Sequence, residues 1–283
     1  MDYVFSGCIS LVVAIIVYII SFCINDQKRK EIKSDELSQY KKFIEEWVDK
    51  SNSTLTKYID SLRKFSNEIK VNTDLNIAMW KSSLIHLTRI DNISLERYAD
   101  IFMYGLDESD ENENRKRLMN FLYQIEYINK AEKLIMKVYE EYTEENRRIM
   151  DEWNVYNGQL VHLVTNTTTH TDTFEKIKFE EIFKRFAVLL RNDGTFAGTD
   201  KWKSEFVDPS IVLLSDEKCD KYPLLVQLID LISSLNFVIL KHNKLNDYSD
   251  IFKEYIESLT NAQKIINDSL DYFKSHTLKQ YCN

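Results

Sequence analysis

Proline and glycine are nearly missing, at 2 and 5 residues in a chain of 283. Sheets and Rossmann-like layers draw on both for their connections, so this scarcity argues for helices. Cysteine is also sparse, at 4 residues. Cys8 and Cys23 fall within one apolar run and Cys219 and Cys282 stand far apart, which suggests neither a disulfide framework nor a zinc site. Positive charge is not in excess. Lys+Arg 37 stand against Asp+Glu 45, so no domain-wide basic field exists to hold nucleic acid.

Catalytic signatures are missing too. There is no glycine-rich phosphate cradle and no Gly-x-Ser-x-Gly elbow. The histidines His86, His162, His170, His242 and His276 never pair with another His or Cys at helical ligand spacing. His170 and Asp172 share a Thr-rich stretch and read as a solvated turn. No Arg is followed by a His four to six residues on, so the anchor of an all-helical ribonuclease is lacking. No metal and no cofactor is expected.

What is present begins at residues 4–24, a run without a charged side chain. About 21 residues of helix reach roughly 30 Å, enough to cross a bilayer core. A cleaved signal peptide would need a basic start and a small-residue cleavage site. Asp2 is the only charged side chain ahead of the run, and Ser21-Phe22-Cys23 sets a bulky ring beside the cysteine. The run is therefore expected to be an uncleaved anchor in membrane lipid. Lys28, Arg29, Lys30 and Lys33 follow it. Positive charge stays cytoplasmic, which puts residues 1–3 outside and the rest in the cytosol, at a bacterial inner membrane. Ser6, Ser10 and Ala14 are four apart, a small-residue ridge that lets two membrane helices approach closely.

Helical periodicity dominates beyond the anchor. Leu37, Ile44, Ser51, Tyr58 and Phe65 recur every seven residues, with Val48, Leu55, Leu62 and Ile69 as the companion series. This heptad stripe, in a juxtamembrane helix over 25–72, is expected to pair with something. Leu55 and Leu62 are its candidate self-association positions. A second stripe runs through Phe121, Ile128, Ile135, Tyr142, Ile149, Tyr156 and Leu163, with Glu132 and Asn146 as polar positions in its companion series. It predicts a long helix over 113–165, packed inside a bundle.

Shorter helices are expected near 74–90 and 95–104, the latter between a capping Ser94 and Gly105. Residues 107–114, Asp-Glu-Ser-Asp-Glu-Asn-Glu-Asn, read as an acidic loop, and the Thr-rich stretch 165–173 as a break between lobes 73–165 and 174–283. In the second lobe a helix is expected over 174–191, a turn-rich stretch at 192–200 and a closing helix over 248–273. The apolar run 222–240 is short for a span and carries Gln227, Asp230 and Ser234 on one face, so it reads as a core helix.

One arrangement suggests chemistry. Asp208 precedes the β-branched run Ile211-Val212-Leu213-Leu214, and Asp216 and Lys218 follow it. An acid before one strand and an acid-x-Lys after another is how restriction-type nucleases hold magnesium, but they need a mixed sheet. This is the weaker alternative, a membrane-tethered enzyme. The leading expectation is an all-α, single-pass, cytosol-facing helical bundle with long coiled-coil-like helices. It would serve as an interaction or scaffold protein that holds a protein partner or a second copy, without nucleic acid. Bacterial proteins of that build serve as sensor or effector components in stress or phage defence, an analogy of architecture alone.

Overall fold

A single unbroken helix, α1, runs from Asp2 to Val71 in the computed structural model. No glycine or proline occurs between residues 8 and 71 to interrupt it. The structure describes residues 2–73, 80, 95–103, 111–166, 173–190 and 197–276, with the backbone alone at 2–18, 95, 166 and 276. Next come α2 (Leu95–Met103), α3 (Glu111–Asn166) and α4 (Thr173–Val188). A composite helix then joins α5 (Thr199–Lys201), a π-helical turn (Trp202–Val207) and α6 (Asp208–Leu214). A 3₁₀ turn (Cys219–Lys221) leads to α7 (Pro223–Lys244) and α8 (Asn246–His276).

The all-α expectation holds among the described residues, and several boundaries need correcting. α3 starts at Glu111, so the second half of the expected acidic loop is helix. Glu111 and Glu113 suit the positive end of a helix dipole. They pair with Arg115 at 2.6 Å and Arg117 at 2.9 Å, one turn on. Thr165 and Asn166 belong to α3 rather than to the expected break, and α4 stops at Val188, three residues short. The expected helix over 74–90 except Trp80, the expected caps Ser94 and Gly105 of the next helix, and His86, His170 and Asp172 lie outside the described residues.

The chain divides into two compact units, one of Met1–Thr56, Leu84–Asn129 and Asn261–Asn283, the other of Lys57–Ser83 and Lys130–Thr260. The units interleave in sequence, unlike the consecutive lobes expected, because α1, α3 and α8 each supply residues to both.

In the first unit Phe102 of α2 meets Phe121 of α3 at 5.6 Å and Phe273 of α8 at 5.0 Å, between ring centroids. Lys41 of α1 donates to the carbonyl of Phe273 (3.1 Å), and burial lowers its pKa against the pull of Glu45. Gln263 donates to the carbonyl of Asn52 and to Thr56 Oγ1. Arg97 lies over the Tyr40 ring and pairs with Glu36 at 2.7 Å.

In the second unit Phe65 of α1 is central. Its ring packs against Tyr139 and Tyr142 of α3, Phe252 of α8 and Trp80, at centroid distances of 5.5, 5.6, 5.2 and 6.3 Å. Ser66 beside it donates to the carbonyl of Ser249, 2.9 Å away. Burial pushes the Tyr58 phenol well above its usual range, so it stays neutral in this core. Both heptad stripes face inward. The nine positions of the first are buried by the chain itself, and so is the second apart from half-buried Glu132, Tyr139 and Tyr156. The first seam is therefore filled from within the chain, which corrects its expected use, at Leu55 and Leu62, as a contact between copies.

Candidate functional site

Around Asp208, Asp216 and Lys218 the backbone is helical, without the strand that the weaker nuclease alternative needs. Ile211-Val212-Leu213-Leu214 forms the body of α6. β-Branched residues are at home in a strand, but here the preceding π-helical turn and Pro209 set a helical path. Proline has no N–H and crowds the carbonyl four residues back. The turn before it widens accordingly, and the Asp208 N–H donates to the carbonyl of Lys203, five residues earlier. That widening points Trp202, Phe206 and Val207 together into the core, where Trp202 meets Trp153 at 4.7 Å and Phe206 at 5.3 Å. Trp202 and Phe206 are thus packing residues of the core, and Trp47 is half-buried.

The three candidate residues do not converge on a point. Asp208 is exposed at the start of α6. Asp216 follows that helix and accepts from the backbone N–H of Lys218 at 3.0 Å, a local turn, while the Lys218 side chain is exposed. The cation nearest Asp216 comes from elsewhere. Lys178 of α4 lies 3.9 Å from its Oδ2 and donates to the carbonyl of Leu213 at 2.8 Å. Sequence reading had missed Lys178, which stands thirty-five residues upstream of that carbonyl. The pairing holds α4 to the end of α6. Cys219 is fully buried next to it, and burial pushes its thiol up despite the nearby Lys178. Among the described residues no group of three or more His, Cys, Asp or Glu could hold a metal ion. His162 is exposed and His242 buried.

An open depression of about 540 Å³ lies between Thr73, Leu189, Ala197, Gly198 and Lys201. Its floor depends on Gly198, where a Cβ would come within 2.9 Å of the Thr73 carbonyl oxygen. That oxygen accepts from the Thr199 N–H at 2.7 Å, so the close approach is held by a hydrogen bond. Asp200 and Lys201 at its edge are exposed, and no buried titratable group faces it among the described residues.

The candidate association residues separate into two sets. Leu55 and Leu62 are buried. Ser6, Ser10 and Ala14 lie on helical backbone, where a spacing of four keeps them on one face, and their side chains lie outside the described residues. Further along, Ile19, Ile20, Phe22 and Ile24 are all about half exposed or more.

Among the described residues, the helical stretch Pro223–Ser275 is long enough to cross a bilayer and contains an 18-residue segment of mean hydropathy 1.9, 39% of it buried. In α7 the buried side carries Leu225, Leu228, Ile232, Leu235 and Ile239, while Gln227 and Asp230 are exposed and Ser234 is half-buried. One side of α7 is thus packed within the chain, while Val226, Phe237 and Leu240 of the same helix are exposed. Comparison with known proteins finds no family model, no curated protein and no solved structure that matches this chain.

Proposed function

We propose that this protein is a membrane-anchored helical interaction protein, held in the inner membrane by residues 4–24 with its bundle in the cytosol. The observation that carries the reading is the uncharged run at the head of α1, closed by Lys28, Arg29, Lys30 and Lys33. Two features support it. The apolar side chains of residues 19–24 are about half exposed or more, as suits lipid-facing residues. Residues 25–36 are then almost wholly exposed, and the same helix becomes a buried seam from Leu37 onward. One helix thus passes from anchor to domain core. The bundle would offer partners its surface, and around Asp208, Asp216 and Lys218 the described residues do not converge. Its place in the cell would be that of a sensor or effector component, in stress or phage defence, holding a protein partner or a second copy at the membrane.

Membrane fractionation tests the anchor. The full chain should stay with membranes after alkaline carbonate washing, and a chain lacking residues 2–24 should leave them. Release of the full chain by carbonate would refute the reading. Crosslinking followed by pull-down from detergent extracts should then recover a protein bound to the bundle.

A further inference from the structure

α4 is apolar on two sides. Phe179 and Ile182 are buried, and Phe186 meets the composite helix that follows, 5.9 Å from Trp202 and 6.0 Å from Phe206. At 100° per residue Lys176, Ile177, Glu180, Phe183, Lys184, Ala187 and Val188, all exposed, span the other side, with Phe183 at one edge and Ile177 and Val188 at the other. Ile177, Phe183 and Val188 leave 59%, 48% and 57% of their surface uncovered, unusual for large apolar residues on one short helix. Glu180 and Lys184 lie along the middle of this side. Their neighbours Glu181 and Arg185 pair at 3.1 Å, but Glu180 and Lys184 form no ion pair among the described residues.

We propose that this side of α4 docks against the same side of α4 in a second copy, antiparallel about a twofold axis. The charge order selects that occupant. The acid stands one turn before the base, so reversing the direction of an identical helix sets Glu180 against Lys184 of the second copy, twice. The same axis sets Ile177 against Ala187 of the second copy, also twice, and Phe183 and Val188 flank the contact. A parallel pair would oppose Glu180 to Glu180 and Lys184 to Lys184, which is repulsive. The contact is isologous, so it closes at two copies. A helix of 16 residues makes a small interface, suited to chains already concentrated by a shared surface. Only that last clause rests on the membrane anchor.

Charge reversal tests the contact in differently tagged full-length copies, crosslinked in membrane vesicles. Glu180→Lys and Lys184→Glu should each lower crosslinking between copies by about ten-fold, since each change creates two repulsive layers. The double variant carrying both changes should return to within about three-fold of the original, which also shows that neither change disrupts the fold. The proposal is wrong if the single variants crosslink like the original, or if the double variant is no better than either single. Ser10→Ile, on the anchor ridge, separates the two surfaces. A fall with Ser10→Ile alone, the charge reversals remaining like the original, leaves the ridge standing and removes the α4 contact.

Discussion

Asn146 occupies a seam position of α3 and has no exposed surface. Its Nδ2 donates to Tyr142 Oη at 3.2 Å, while its Oδ1 has no partner among the described residues. An unpaired buried acceptor costs more than its hydrogen bond returns, so Asn146→Leu is expected to stabilise the protein by about 1 kcal/mol. Thermal unfolding would register this as a raised Tm. A lowered Tm would mean that Oδ1 matters to the seam. Cys219 offers a chemical test at the same scale. Its thiol is buried and stays protonated beyond the usual range, so iodoacetamide at mildly alkaline pH should leave it unmodified until urea is added. Peptide mass spectrometry reads the outcome, and rapid modification of the native protein would contradict the burial. The polar seam position was legible in the sequence because a heptad makes any polar intruder visible. Lys178 was not, because its closeness to Asp216 comes from the packing of α4 on α6, and no local pattern encodes that.

The long helices were the most legible elements. Seven-residue repeats through α1 and α3 fixed which faces would be buried, and sparse Gly and Pro implied that nothing would interrupt them. What covers those faces was not legible, because a stripe looks the same whether its partner is another chain or a distant segment of the same one. The run in α6 suggested a strand only under the weaker nuclease alternative. β-Branched composition indicates a strand only where a sheet can receive it, and Pro209 with its widened turn had already committed the backbone to a helix. Deleting Ser204 from that turn should rotate Trp202 out of register with Phe206 and cost about 3 kcal/mol or more, visible in urea denaturation as a lower midpoint. Gly158 points the other way. It lies within α3, and a Cβ there would meet nothing within 4 Å. Gly158→Ala should therefore raise stability by roughly 0.5–1 kcal/mol, and an unchanged or lower midpoint would contradict the open space around it.

At the scale of the whole molecule, topology is the decisive quantity. If α7 belongs to the bundle core, reporters fused after Ser215 and after Asn283 should both signal the cytosol. Opposite signals would mean that part of Pro223–Ser275 crosses the membrane, and two periplasmic signals would invert the anchor. Order of synthesis adds a further consequence of how α1 is covered. Lys41 and Asn52 bond to Phe273 and Asn267, at sequence separations of 232 and 215 residues. α1 is thus completed by a helix synthesised long after it. At 5–20 residues per second the interval between Lys41 and Phe273 is about 10 to 45 seconds, during which the α1 seam has no final partner. A nascent chain halted short of α8 would lack the partners of Lys41, Asn52 and Thr56, so premature termination should leave this stretch of α1 incompletely packed.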